Sequence, residues 1–128
     1  MNASDALAMF RSAKGPSRRL DSAVAEVLGW SRRFEIKVDS ETGEQKRVQK
    51  KLWLVPSGDD EQRVPDYSSD AQAAYALVNE VSKGAPCALT IVDGVCRAQI
   101  WNDEFCEGSD AAMVICVAAL QHMSIPSE

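Results

Sequence analysis

The chain has 128 residues, 45% of them hydrophobic and 26% charged, with a formal net charge of −5. That length argues for one domain with a core of its own, and nowhere is there a run of the ~20 apolar residues that a membrane span needs. The charge is uneven: residues 1–51 carry +4 and residues 52–128 carry −9, an asymmetry that can steer a partner but that a folded domain also mixes on one surface.

The opening MNASDALAMFRSAKG has no basic start and no continuous apolar core, so it does not read as a signal peptide, and a cytoplasmic protein is expected. Ser4 is the expected cap of a short helix ended by Gly15-Pro16. Residues 1–16 are therefore an N-terminal arm or short helix, 17–123 a single domain, and 124–128 a tail. A clearer helix is predicted from Ser17 to Leu28. Leu20, Val24, Val27 and Leu28 share one face, and Gly29 follows where a left-handed cap is wanted. Trp30, just past that end, reads first as a core residue folding back on the helix.

Phe34, Ile36 and Val38 alternate with Glu35, Lys37 and Asp39, the pattern of a half-buried strand. A polar reversal containing Gly43 leads to a second strand over Lys46–Val55, whose end, Leu52 to Val55, reads as buried on both sides. Residues 56–63 read as a surface loop. Ser69 or Ser68 then caps a helix running to Ser82, with Ala71, Ala74, Leu77, Val78 and Val81 on its apolar face. Gly84 and Pro86 end it. Cys87–Val92 and Val95–Trp101 flank Asp93-Gly94, the strongest hairpin signal in the chain. Residues 102–108 read as an acidic loop, and a last helix starts near Ser109. From Ala111 to Leu120 that helix has no charged side chain, so it is buried on most sides or covered by a second subunit. The expected fold is therefore α+β, with two hairpins joined in one four-stranded, mainly antiparallel sheet and three main helices against it.

Few residues point to chemistry. Cys87, Cys96, Cys106 and Cys116 are nine or ten residues apart with only His122 as imidazole. That spacing suits neither zinc nor another metal, and the thiols are expected to be free and mostly buried. Cys116 would need an adjacent base to act as a nucleophile. His122, six residues on, lies on another helix face, so Cys116 reads as structural. No G-x-S-x-G and no Gly-rich phosphate loop is present, and Asp59-Asp60-Glu61 and Asp103-Glu104 read as solvating charge. No cofactor is expected.

Two places can bind. Asp66, Tyr67, Ser68 and Ser69 form a hydroxyl-rich approach to a helix N-terminus, which can hold an anion, with Trp30 as a possible neighbour. The same residues also cap a helix, and Asp66 and Asp70 repel an anion, so capping is the favoured reading. Arg32, Arg33, Lys46, Arg47, Lys50 and Lys51 lie on the basic hairpin, with Trp53 in the parity of Arg47 and Lys51. Such a face can contact phosphates and stack a base. The favoured alternative is a charged edge that resists aggregation.

Three pieces taken in order resemble the phage ABA sandwich domain, a family of small bacteriophage and prophage proteins. Leu20-Asp21-Ser22-Ala23-Val24-Ala25-Glu26-Val27-Leu28-Gly29-Trp30 looks like the family's L-D-x-x-V-A-E-x-V-x-G-W opening. Val64-Pro65-Asp66-Tyr67-Ser68-Ser69-Asp70 looks like its P-x-Y-S-x-D element, and Ile115-Cys116-Val117-Ala118-Ala119-Leu120 resembles its I-C-x-A-A-L helix. Asp66 stands where His or Asn is expected, and Val117 where Arg is common. The resemblance covers residues 18–122 and implies an α/β/α sandwich but no activity and no catalytic residues. The expectation is a small phage-encoded accessory protein that is not an enzyme. It would act by binding, as a host-defence antagonist that sequesters a host protein or a small nucleotide ligand, and would self-associate as a homo-oligomer through its apolar last helix. The alternative is a nucleic-acid-binding phage protein using the hairpin over residues 32–53, and a third reading is an enzyme using Cys116 or Tyr67.

Overall fold

The computed structural model describes residues 1–58 and 60–125; Asp59 of the expected 56–63 loop and residues 126–128 of the expected tail lie outside the described residues. Helix α1 (Ala3–Ser12) starts two residues earlier than a Ser4 cap would place it: Asn2 is the cap, its side chain accepting from the Asp5 N–H at 2.8 Å. Ala6, Leu7 and Phe10 make one face, and all three are buried. The N-terminal segment is thus a helix docked on the body. Helix α2 (Arg18–Leu28) follows the sequence reading closely. Ser17 caps it, and Gly29 closes it at φ 97°. The Trp30 N–H reaches back to the Ala25 carbonyl at 2.9 Å, which completes a Schellman end.

The next segment departs from expectation. Strands β1 (Phe34–Val38) and β2 (Gln45–Gln49) pair antiparallel, Ile36 opposite Arg47. The second strand then stops at Gln49 instead of running to Val55. Trp53–Leu54 is a separate strand, β3, pairing with β4 (Glu61–Gln62) inside the stretch expected to be only loop. Past the break at Lys50–Leu52 the hairpin projects from the body, tied at its base by Arg33 and Lys50 to Glu61. Every β1 residue is exposed, and β2 is exposed except for half-buried Val48. Alternation reports that two faces differ, not that the apolar face meets a core, and here Phe34, Ile36 and Val38 meet solvent.

Helix α3 (Ala71–Ser82) is capped by Asp70, whose carboxylate accepts from the Gln72 N–H at 3.0 Å; neither Ser68 nor Ser69 does this. Strands β5 (Cys87–Val92) and β6 (Val95–Ile100) form the expected hairpin, with Asp93 at φ 52° and Gly94 at φ 77°. The acidic loop contains a third strand, β7 (Cys106–Gly108), on the far side of β6. Helix α4 (Ala111–Ser124), capped by Asp110, runs through the centre. The chain is thus an α+β protein with four helices and antiparallel sheets of two, two and three strands among the described residues.

The single four-stranded sheet does not form. The β3–β4 pair and α3 intervene between the hairpins, and β7 takes the edge of β6. The α/β/α layering is also absent. Cys96, Ala98 and Ile100 of β6 are buried on the α4 side, while Arg97 and Trp101 on the other face are exposed. The uncharged helix α4 is apolar because α1, α3, β6 and β7 all pack on it. A second subunit is not needed to cover it.

Gly108 is the tightest point between sheet and helix. A Cβ there would sit 2.8 Å from Cγ2 of buried Val114. Val114 is β-branched and has little rotamer freedom in a helix. Gly108→Ala is therefore expected to destabilise the chain by about 1–3 kcal/mol. Val114→Ala in the same chain should restore much of that loss. A double-mutant cycle by urea denaturation checks this, and additive losses would show that the two residues are not in conflict.

Candidate functional site

The residues singled out around the Pro65 turn lie at a junction of three elements. Asp21, on the first turn of α2, is 1% exposed. It accepts from the Ser68 N–H and the Ser68 hydroxyl, both at 2.7 Å, and from Arg18 Nη1 at 2.9 Å. Ser68 Oγ also accepts from the Ser17 N–H at 3.1 Å and lies 3.0 Å from the Ser17 carbonyl. Arg18 continues outward to Asp66 at 2.8 Å, and Arg63 reaches the same carboxylate at 3.1 Å. On the inner side the Cys116 thiol donates to the Tyr67 carbonyl at 3.1 Å. One network therefore ties the cap of α2, the turn before α3 and the middle of α4.

The electrostatics follow from these contacts. The Arg63 hydrogen bond holds the Asp66 carboxyl below its ordinary range, and Asp66 in turn raises the Arg63 guanidinium. Burial pushes the Tyr67 phenol up to about 12 and the Cys116 thiol well above its ordinary value. Neither group is activated as a nucleophile, since only the ionised form attacks. The imidazole of His122 pairs with Asp103 at 2.8 Å, not with Cys116.

As an anion site the element is closed. Tyr67 and Ser68 are buried, Ser68 has its polar atoms engaged, and the Asp70 carboxylate occupies the start of α3. Asp66 is committed to two arginines, and Ser69 is exposed. Trp30 is half-buried against the core at the opposite end of α2, nine residues and about 13 Å along the axis from Asp21. It does not join the group.

The basic hairpin is also divided. Arg32 pairs with Glu26 at 3.1 Å and lies 5.2 Å over the Trp53 ring. Arg33 and Lys50 share Glu61, at 3.2 and 3.4 Å. Trp53 is buried in the β3–β4 pair, so its ring is not open to a base. Among the described residues, Lys46, Arg47 and Lys51 form no ion pair. Arg47 instead lies 4.0 Å over the exposed Phe34 ring. Phe34, Ile36, Val38, Gln45, Arg47 and Gln49 share one face of the hairpin.

Two features were missed from sequence. Asp21 carried a signal, since it interrupts the apolar face of Leu20, Val24 and Ala25, and a carboxylate on a buried face must be satisfied. The other is a groove of about 470 Å³ between α1 and β7, lined among others by Phe10, Arg11, Lys14, Cys106 and Val117. No sequence pattern marks it, because it arises where α1 docks. Among the described residues no group of three or more His, Cys, Asp or Glu is placed to hold a metal ion, and no helix is long and apolar enough to cross a membrane. Comparison with protein-family models, with curated proteins and with solved structures gives no match to this chain.

Proposed function

We propose that this chain is a phage-type accessory protein that acts by binding rather than by catalysis, and that the β1–β2 hairpin is the arm that meets a host protein. The observation carrying this reading is the exposure of Ile36 and Val38, 67% and 61%, in a row with Phe34 and with no packing against the body. An apolar row beside Arg47 and two glutamine amides suits a protein surface, where apolar contact and Arg supply most of the affinity. The resemblance to the phage family is supported by position: Asp21, Ser68 and Cys116, one from each of its three pieces, meet in one network. A nucleotide ligand is less favoured, because the hydroxyls at the Pro65 turn are engaged and Asp66 and Asp70 oppose phosphate.

The test begins with a partner captured by the wild-type chain and then purified. Ile36→Asp/Val38→Asp should weaken its binding by roughly 100-fold or more, in line with loss of central apolar anchors. The thermal midpoint should stay within about 2 °C, because both side chains are exposed. Binding that survives this pair of changes removes the hairpin as the arm. The nucleic-acid reading draws on Lys46, Arg47 and Lys51, which have no carboxylate partner among the described residues. If it holds, Lys46→Glu/Lys51→Glu abolishes binding of single-stranded DNA and wild-type affinity falls steeply with salt.

A further inference from the structure

We infer that the open edge of β5 is a self-association surface, and that two copies of the chain join there in antiparallel register about a two-fold axis. The inference uses a different surface from the hairpin and stands independently of the partner reading.

Strand β5 has β6 on one side and no strand on the other. Its sequence, Cys87-Ala88-Leu89-Thr90-Ile91-Val92, has no charge and no proline. It is the only strand longer than two residues, among those described, without a charged side chain. Edge strands that stay unpaired are normally blunted by Lys, Pro, bulges or brevity. The other open edges follow that rule: β1 has Glu35 and Lys37, β2 has Lys46 and Arg47, and β7 is three residues long. A six-residue, uncharged edge is a template for another strand.

The side chains of β5 are also exposed, except for half-buried Leu89. Cys87, Leu89 and Ile91 lie opposite Ile100, Ala98 and Cys96, so they point to the helix side of the sheet. The helices cover β6 there and half-bury Leu89, but leave Cys87 and Ile91 exposed. Ile91 is 63% exposed and Tyr75 of α3 is 46% exposed. Tyr75, Val78, Cys87 and Leu89 border a small apolar cavity of about 80 Å³.

Parity limits the register. A two-fold normal to the sheet keeps both sets of helices on one side, so odd residues must face odd residues. Among the registers this allows, the one with Leu89 opposite Leu89 of the second copy, and Cys87 opposite its Ile91, is assigned because it turns exposed Ile91 toward the apolar cavity beside Cys87. That places the second copy's Ile91 at the mouth of the cavity beside Cys87 and Tyr75, an apolar knob against an apolar hole. A six-residue strand is about 20 Å long. With the side chains named, the contact falls short of the ~800 Å² per partner of a standard interface. The dimer is therefore concentration-dependent, dissociating in roughly the micromolar range.

Light scattering of the full chain from about 1 to 200 µM, with reductant, tests the association. The expected result is a rise from one to two chains per particle, and Ile91→Lys, at an exposed position, should hold the particle at one. Leu89→Cys in a Cys87→Ser background tests the register. On oxidation at high concentration it should form a covalent dimer through its own symmetry mate, while Thr90→Cys in the same background should not. A wild-type chain that stays monomeric throughout, a dimer that persists in Ile91→Lys, or crosslinking at 90 in place of 89 would each overturn the inference.

Discussion

Asp21→Leu is expected to lower the stability of this chain by about 2–4 kcal/mol, from a buried N–H left without a partner and from the loss of charge-assisted hydrogen bonds. The carboxylate has three donors at 2.7–2.9 Å and a side chain 2% exposed. Leucine has a similar volume but accepts nothing. The Ser68 N–H would then be buried without a partner, which alone is worth about 1–3 kcal/mol. The Ser68 hydroxyl still has the Ser17 carbonyl at 3.0 Å, and Arg18 still has Asp66 at 2.8 Å. The loss is thus concentrated on the Ser68 backbone donor and on the lost charge-assisted bonds, since the Arg18 side chain is 48% exposed and keeps Asp66. Asp21→Asn keeps an acceptor oxygen at the same place and should lose only about 1–2 kcal/mol, since a neutral acceptor is weaker. With a urea slope of about 1–3 kcal/mol per molar, the leucine variant should unfold roughly 2 M earlier. Equal midpoints for the two variants would mean that the network is incidental.

The same network shows what the sequence made legible and what it did not. Helix α2 was readable almost to the residue, because Ser17, the apolar face and Gly29 agree at every level. The Asp93-Gly94 hairpin was readable for the same reason: the turn needs two residues at positive φ, and few pairs supply them. The helix caps shifted by a residue or two, to Asn2, Asp70 and Asp110, since each stands beside another good capping residue and tertiary contacts choose between them. What could not be read was which elements meet. Periodicity gave β1 an apolar face but not its neighbour, and the joined sheet was a guess about long-range pairing. The residues at the Pro65 turn were found by type, yet their role was decided by Asp21, forty-seven positions from Ser68. An apolar α4 fitted both a buried helix and a subunit contact, and only the docking of α1, α3, β6 and β7 around it separates the two.

Raising the pH above about 9 is expected to destabilise the chain progressively, through two buried acids at that junction. In the unfolded chain a thiol and a phenol ionise near their ordinary values, 9.0 for Cys116 and 10.0 for Tyr67. In the folded chain burial raises both, Tyr67 to about 12 and Cys116 well up. Between those values the unfolded state has released a proton that the folded state keeps, so unfolding gains with pH and stability falls. The contribution is intact below pH 9, begins to fail there through Cys116, and fails further from pH 10 through Tyr67. One group changes stability by at most about 1.4 kcal/mol per pH unit. Urea midpoints taken from pH 8 to 11 should decline in the wild type. The decline between pH 9 and 10 should lessen in Cys116→Ala, with burial of the Cys106 thiol, also raised, keeping a smaller share, and that above pH 10 should lessen in Tyr67→Phe. Parallel curves for all three chains would place the alkaline sensitivity elsewhere. A smaller decline in these variants would also bear on function, because a thiol that stays protonated in the folded protein to high pH has almost no thiolate at neutral pH. Cys116 would then be a packing residue holding the Pro65 turn, and binding surfaces such as the hairpin would be left to act.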